Sequence, residues 1–241
     1  MKVSYSVWAD KILNIYLTRL VRSHFHSITL LGKDPVLDQN KPVLLIPNHS
    51  SWWDGFFIYK LNKLLWQRRL FIMMLESQLS KNRFFARVGA YSIAPGRPKK
   101  VLSSLNYTVN LLHSPLNPVV CMFPQGELVP GHVRPVRFRR GTDWIQSKLH
   151  QPVQILLLGM KIVYLQDQYP DVLCRFSAPY AASFDSPIPA LQLENDLNDL
   201  LTTLDKETHD LYPRGVQLFT GKPSVNERMA RLNPFNKKHT R

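Results

Sequence analysis

Short apolar runs alternate with stretches of helical periodicity along most of the chain. Continuous runs bounded by turn residues are typical of buried strands, and apolar residues that recur every three or four positions are typical of helices. The runs predict strands at 27–31, 43–46, 70–75, 90–93, 117–123, 153–158, 162–165 and 172–177, and the periodic stretches predict helices at 4–24, 53–66, 80–88, 101–112, 141–149 and 190–211. This alternation predicts a single α/β domain with a mixed, largely parallel sheet flanked by helices, and with the last helix covering the sheet.

The first predicted helix is amphipathic and basic. Its apolar stripe consists of Trp8, Ile12, Ile15, Tyr16 and Leu20, and its basic residues are Lys11, Arg19 and Arg22. Such a helix suits a segment lying on a membrane surface, although a helix packed on its own domain shows the same pattern. We therefore divide the chain into an N-terminal amphipathic helix at 1–26, a main domain at 27–213 and a basic C-terminal tail at 214–241. The tail carries seven Lys and Arg and one acid, so it could contact anionic headgroups or be disordered.

The net charge is the feature of composition that bears most on function. The 241 residues include 31 Lys and Arg against 17 Asp and Glu, a formal charge of +14. This excess predicts an anionic partner: a membrane surface, a phosphorylated substrate, an acidic carrier protein or nucleic acid. From Ser77 to Thr142 there are ten Lys and Arg and a single acid, Glu127. The positive field is therefore expected to surround a site within this stretch.

The remaining composition predicts a reducing compartment and, if the protein works on lipids, a place on the bilayer surface. Cys121 and Cys174 each lie in an apolar run, which predicts buried thiols in a reducing compartment and neither a disulfide framework nor a metal site. No signal peptide is predicted, and no apolar run approaches the ~20 residues of a membrane-spanning helix. The expected location is peripheral, on the cytoplasmic face of a membrane.

The strongest chemical signal follows the strand predicted at 43–46. A proline ends the run, and His49 and Asp54 follow with two hydroxyls and two indoles between them. Histidine titrates near neutrality, so it can take and return a proton, and a carboxylate on its other nitrogen would hold its tautomer. The spacing requires the chain to turn back, for example into a helix capped by Ser50 or Ser51. A loop histidine beside a capping aspartate is the alternative.

An ordered set of motifs resembles the glycerolipid acyltransferase family, whose best-known members are the 1-acylglycerol-3-phosphate acyltransferases. The segment 48–54 (NHSSWWD) resembles the signature N-H-x-x-x-x-D of that family, and 123–127 (FPQGE) resembles its block F-P-E-G-T-R. Between them, 89–93 with the downstream Arg97 resembles an intermediate block, although Arg97 falls about two residues late. After them, 138–141 (FRRG) matches F-K-x-G, and 152–153 lies where the family has its last short block.

The resemblance implies roles for named residues, and the second block departs from it. His49 would be the general base and Asp54 would orient it, while Arg97, Gln125, Gly126, Glu127, Arg137, Arg139 and Arg140 would bind substrate. Backbone N–H groups around Gly126 would hold an oxyanion. Gln125 stands where the family has Glu, and Glu127-Leu128 replaces Thr-Arg. The lost arginine is the family's expected contact to an acceptor phosphate, so the arginines of 134–140 would have to replace it, unless they form only a solvated basic face.

The resemblance implies transfer of a fatty acyl group from acyl-CoA or acyl carrier protein to a hydroxyl of a lysophospholipid-like membrane acceptor. No cofactor or metal is implied, and the oligomeric state stays open. A non-phosphate acceptor such as a glycolipid is the alternative that the second block raises. Two other classes stay open: an inactive relative or hydrolase using the same pair, and a basic nucleic-acid-binding module, which the absence of any recognised nucleic-acid-binding signature disfavours.

Overall fold

A computed structural model describes residues 1–209 and 213–232. Its strands are β1 Ser27–Leu31, β2 Val43–Pro47, β3 Leu70–Leu75, β4 Ala90–Ile93, β5 Val119–Cys121, β6 Val153–Val163, β7 Asp171–Phe176, β8 Tyr180–Ala182 and β9 Gly215–Thr220. Its helices are α1 Val7–His24, α2 Asp54–Leu61, α3 Glu76–Lys81, α4 Pro98–Leu112, α5 Gly141–Gln146, α6 Ala190–Glu207 and α7 Val225–Leu232. A π-helical turn, Asn62–Trp66, extends α2, and a 3₁₀ segment, Arg83–Val88, precedes β4.

The strands form one sheet of nine in the order β4-β3-β5-β2-β6-β7-β1-β9, with β8 paired to β6. The strands β2 to β6 run in parallel, β7 turns back against β6, and β1 lies parallel to β7. The carboxyl ends of β2, β3, β4 and β5 therefore meet at one edge, where open α/β sheets commonly bind ligands. The predicted mixed, largely parallel sheet is confirmed.

Helices cover both faces of this sheet. One core combines α1 and α2 with one side of the strands, and a second core combines α4 and α6 with the other side. The leucines that the sequence assigns to one side of the last helix are all buried against the second core: Leu193, Leu197, Leu200, Leu201 and Leu204. Gly159 allows this close contact, because a Cβ there would lie 2.9 Å from Leu204 Cδ1. The predicted covering role of that helix is confirmed, although its last predicted residues, 210 and 211, lie outside the described part.

The helix α1 differs from its prediction in the side that it buries. It packs on α2 and the 83–88 segment through Ala9, Leu13, Leu17 and Val21. The predicted stripe points away from the domain, with Trp8 76% exposed and Ile12, Ile15 and Tyr16 also exposed, while only Leu20 reaches the core. The helix is therefore apolar on two sides. Both alternatives apply, since it packs on the domain and still presents an apolar surface.

Several predicted boundaries are wrong because pairing overrides local pattern. The runs 153–158 and 162–165 form one strand, β6, because its first half pairs with β2 and its second half pairs with β7. The helix predicted at 80–88 breaks at Asn82 into α3 and the 3₁₀ segment. The strand β8 was not predicted.

The sheet also extends into the region that the sequence assigns to a basic tail. The strand β9 pairs antiparallel with β1, and the Gly221 N–H donates to the His26 carbonyl at 2.7 Å. A capping box then starts α7, in which the Ser224 N–H donates to Glu227 Oε2 at 2.8 Å. The part of the tail at 215–220 is thus a strand of the domain, while residues 233–241 lie outside the described part.

Candidate active site

The candidate site lies at the carboxyl end of β2, the central strand between β5 and β6. Asn48 follows the strand, and its side chain bonds both backbone groups of Met160 in β6: Oδ1 accepts from the N–H at 2.7 Å, and Nδ2 donates to the carbonyl at 3.0 Å. Because Asn48 is buried, these two bonds hold the end of β2 on its neighbour. The next residue, His49, therefore starts from a rigid support.

His49 and Asp54 form the predicted pair. His49 Nδ1 lies 2.9 Å from Asp54 Oδ2, the Asp54 side chain is buried, and the His49 side chain is 24% exposed. Asp54 Oδ2 also accepts from the backbone N–H groups of Ser50 at 2.7 Å and Ser51 at 2.9 Å. These contacts satisfy the buried side chain of Asp54, and its place in the first turn of α2 is favoured by the helix dipole.

The local structure that brings these two residues together differs in one detail from the expectation. The helix α2 begins at Asp54 with Trp53 at the N-cap, so neither Ser50 nor Ser51 caps it, and no other side chain does. Instead, the Ser51 hydroxyl accepts from the Trp53 N–H at 2.9 Å, which tightens the turn before the helix. The turn back that the spacing required is thus made by the 50–53 loop.

A neighbouring strand supplies the surroundings of the His49 ring. Phe123, just after β5, stacks on the imidazole with ring centroids 4.0 Å apart and an interplanar angle of 24°. Within the described residues, His49 Nε2 has no hydrogen-bond partner, so this nitrogen is available to a substrate.

Burial raises the pKa of the nearby Cys121 thiol well above its ordinary value, and the charge of Asp54 acts in the same direction. Cys121 is therefore held as a thiol, in agreement with the predicted buried cysteine.

Gln125 faces the loop that carries His49. Its side chain is buried, its Oε1 accepts from the His49 N–H at 2.5 Å, and its Nε2 donates to the His49 carbonyl at 3.3 Å. Gly126 adopts φ +72°, and a Cβ there would lie 2.6 Å from Arg139 Cδ. The Gly126 N–H bonds the Phe123 carbonyl at 3.3 Å. The sequence predicts that Gln125 binds substrate, whereas its amide is engaged with His49.

The predicted substrate-binding arginines do not converge as one cluster. Arg139 pairs with Glu127 at 2.9 Å and donates through Nε to the Gln125 carbonyl at 2.9 Å. Arg137 pairs with Glu194 at 2.9 Å, and Arg97, at the start of α4, lies 3.6 Å from Glu76. Arg140 is exposed at the start of α5. Most of these guanidinium groups therefore already have a carboxylate partner.

A family model matches the part of the chain that contains this site. The model described as Acyltransferase matches residues 27–153, which is more than half of the chain and includes His49, Asp54 and Gln125. The chain belongs to the acyltransferase family. The motif resemblance is thereby confirmed.

Two further acyltransferases resemble this one. A 1-acyl-sn-glycerol-3-phosphate acyltransferase of Streptococcus pneumoniae is 25% identical over 134 residues, which cover 50% of this chain and 46% of that protein. The match thus spans about half of the relative. The crystal structure of the 1-acyl-sn-glycerophosphate (LPA) acyltransferase PlsC of Thermotoga maritima covers 86% of this chain and 80% of its own with a TM-score of 0.58 at 14% identity. That likeness supports the fold.

Within this acyltransferase domain, sequence reasoning missed two contributors to the site. Phe123 lies in the second motif block but was not singled out, because its contact with His49 exists only once β5 lies beside β2. The N–H groups of Ser50 and Ser51 hold Asp54, and no side-chain pattern reports backbone donors. Among the described residues, no three His, Cys, Asp or Glu side chains come close enough together to bind a metal ion.

The wall beside the acyltransferase motif is aromatic. Trp53 packs into the first core, whereas Trp52 is 68% exposed and makes edge contacts with Trp53 and Phe56. Phe56 in turn lies 6.2 Å from Phe85, measured between ring centroids. Trp53 is therefore part of the core, whereas Trp52 presents an exposed apolar surface beside the site.

Proposed function

We propose that this protein transfers a fatty acyl group from an acyl thioester, acyl-CoA or acyl carrier protein, to a hydroxyl of a membrane-borne acceptor. The observation that supports it most is the buried Asp54 carboxylate on Nδ1 of His49, whose Nε2 is unpartnered in the described structure. This arrangement suits a general base that acts on a neutral hydroxyl. Family membership supports the same class of reaction.

The chemistry needs no protein nucleophile. His49 Nε2 takes the proton of the acceptor hydroxyl as that oxygen attacks the thioester carbonyl, and Asp54 stabilises the imidazolium that forms. The tetrahedral intermediate expels the thiolate, to which His49 returns the proton. We assign the oxyanion to backbone N–H groups of the second motif block around Gly126.

The acceptor is expected to be a lysophospholipid or a neutral lipid alcohol, and the arginines bear on that choice. A phosphate would have to compete with Glu127 for Arg139 and with Glu194 for Arg137. The Arg139–Glu127 pair is largely exposed, so it is worth little and can open for a doubly charged phosphate. If it stays closed, the carboxylate of Glu127 can accept bonds from acceptor hydroxyls instead.

The purified protein is expected to form new acylated lipid from labelled acyl-CoA and an acceptor. Lysophosphatidic acid and a neutral monoacylglycerol should be assayed in parallel, with products identified by mass spectrometry. Release of free fatty acid without acceptor acylation would instead show a hydrolase. Absence of both products with acyl-CoA and with acyl carrier protein would contradict the proposal. A monoacylglycerol preferred over lysophosphatidic acid would assign the alternative, non-phosphate acceptor.

We further propose that α1 holds the protein on an anionic bilayer. The outward face of the helix combines Trp8, Ile12 and Ile15 with exposed Lys11, Arg19 and Arg22. The single acid of α1, Asp10, points to the domain, where it bonds Lys63 Nζ at 2.6 Å and the Tyr59 hydroxyl at 2.8 Å. An apolar face with only cations beside it suits anionic headgroups. No described helix is long and apolar enough to cross a bilayer.

The double substitution Trp8→Ser and Ile12→Ser is expected to weaken binding to anionic vesicles by at least about tenfold. Each large apolar side chain contributes about 1.5–3 kcal/mol when buried, and 1.4 kcal/mol corresponds to a factor of ten. Co-sedimentation should also show parent binding falling as salt rises. Val36 offers a matched control, since it is an apolar residue that is 86% exposed in the loop between β1 and β2, outside α1. Equal losses for Val36→Ser, or equal binding of the parent to neutral vesicles at low salt, would contradict α1 as the anchor.

A further inference from the structure

The side chain of Gln125 has an unusual target, the backbone of the residue that carries the catalytic ring. Its carbonyl oxygen accepts from the His49 N–H, and its NH₂ group donates to the His49 carbonyl, although the two residues are 76 positions apart. The His49 carbonyl also accepts from the Val129 N–H at 3.0 Å. Both backbone groups of His49 are thus satisfied by the second motif block, and the peptide that carries the ring cannot rotate without breaking these bonds.

Gln125 is itself held in place. Arg139 donates its backbone N–H to the Pro124 carbonyl at 2.9 Å and its Nε–H to the Gln125 carbonyl at 2.9 Å. The Arg139 side chain crosses Gly126 so closely that any Cβ there would collide with it. The amide therefore approaches His49 from a turn with little freedom, as a positioning residue requires.

The same two-bond arrangement recurs far from the site. The buried Gln146 bonds both backbone groups of Ile188 at 2.7 and 2.8 Å, and the buried Gln154 bonds both backbone groups of Asp38 at 2.8 and 3.0 Å. In each case the amide acts as a strand partner for one residue. Of these three glutamines, only Gln125 applies the bonds to a residue of the His49–Asp54 pair. Gln146 thereby provides a natural control for the arrangement itself.

A carboxylate would not fit this arrangement in the ionised state. One carboxylate oxygen could accept from the His49 N–H. The other would take the place of Nε2, which lies 3.3 Å from the His49 carbonyl oxygen. That carboxylate oxygen and the carbonyl oxygen are both acceptors and would repel each other. Burial raises the pKa of a carboxyl group, and its protonated form could donate to that carbonyl. A carboxyl group here would therefore hold His49 at low pH and release it as pH rises. A neutral amide holds it at every pH.

We propose that Gln125 is a positioning residue for His49, and that this chain requires the neutral amide at a position where its family pattern has Glu. The inference rests on the proposed function for its kinetic consequences, but its structural consequence does not depend on activity. It also replaces the role in substrate binding that the motif resemblance implies for Gln125. A positioning role predicts a change in kcat, whereas a binding role predicts a change in KM.

The test compares Gln125→Glu with Gln146→Glu between pH 5 and 8. Relative to the parent, Gln125→Glu should lose kcat progressively as pH rises, by about 10- to 100-fold at pH 8, because a small misplacement of a reacting group costs up to about 10²-fold. Its KM should change little. Gln146→Glu should lose stability in the same pH direction, since both introduced carboxyl groups have raised pKa values in the folded state, but its kcat ratio to the parent should stay flat.

A second readout is independent of catalysis. Nitrogen-15 NMR of the histidine rings reports which nitrogen carries the proton, and the His49 signal is identified by its absence in His49→Ala. Gln125→Glu should broaden or shift this signal with rising pH, and Gln146→Glu should leave it unchanged. Should Gln125→Glu fail to fold, Gln125→Met, which removes both bonds at similar size, replaces it, with Gln146→Met as control. For that pair the expected results are a pH-independent loss of kcat and a shifted His49 signal for Gln125→Met alone.

These readouts separate failure of this inference from failure of the proposed function. A Gln125→Glu enzyme with a flat kcat ratio and an unchanged His49 signal across the pH range would overturn the positioning role, even if the parent transfers acyl groups. A raised KM at unchanged kcat would restore the role in substrate binding and equally overturn it. A parent that transfers no acyl group would contradict the proposed function alone, and the His49 signal would then decide the role of Gln125.

Discussion

The His49→Ala variant is expected to fold like the parent and to lose about 10²- to 10⁴-fold in kcat, the usual cost of removing a general base. The loss should fall on kcat because Nε2 acts only as the acceptor hydroxyl is deprotonated. Stability should change little, because the ring is partly exposed and Asp54 keeps its bonds from Ser50 and Ser51. Steady-state kinetics and thermal unfolding of the same preparation measure both quantities.

His150→Ala is a matched control for this variant. His150 is exposed just before β6, at the edge of the sheet opposite to His49, and its ring contacts His113. Its replacement should leave kcat and KM unchanged. A His49→Ala enzyme that keeps more than about a tenth of the parental kcat would refute the general-base mechanism, because a loss of less than about tenfold is below the usual range for the removal of a general base.

The Asp54→Asn variant is expected to lose up to about 10⁴-fold in kcat, as the same change does in the serine protease triad that serves as the general reference. The amide oxygen can still accept from the Ser50 and Ser51 N–H groups, so the loop should keep its shape. What disappears is the negative charge that stabilises the imidazolium, while the amide oxygen that replaces Oδ2 still faces His49 Nδ1. Combining Asp54→Asn with His49→Ala should cost little more than His49→Ala alone, because the two residues act as a unit.

A second aspartate–histidine contact controls for the loss of a buried carboxylate. Asp171 is buried and lies 2.8 Å from His26 Nδ1, much as Asp54 lies 2.9 Å from His49. Asp171→Asn should lower the melting temperature while leaving kcat unchanged. If Asp54→Asn and Asp171→Asn reduce kcat equally, the effect of Asp54 is one of stability, and its assigned role as orienter is wrong.

The features that sequence alone determined are local in the chain. The turn that carries His49 and Asp54 could be predicted because an apolar strand, a proline and the spacing between these two residues all lie within a dozen residues. Strands β1 to β4 were placed almost to the residue, because buried strands must be apolar on both faces and therefore appear as uninterrupted runs. The leucines of α6 identified its buried side, because a helix with one apolar side can bury only that one.

Other features were decided only when distant segments paired. The strand β5 brings Phe123 and Gln125 to His49 because it lies beside β2, and the order of strands in a sheet depends on contacts far apart in the chain. Arg137 bonds Glu194, which lies 57 residues later in the chain, so the charge of the basic stretch 134–140 is partly neutralised in the folded protein. The helix α1 has two apolar sides, and either could have been buried. Its packing on α2 determines that Leu13 is buried and Trp8 is exposed. Local composition determines which residues can be buried or can carry out chemistry. Tertiary contacts determine which other residues each of them contacts, because the free energy of pairing depends on both segments and cannot be derived from either one alone.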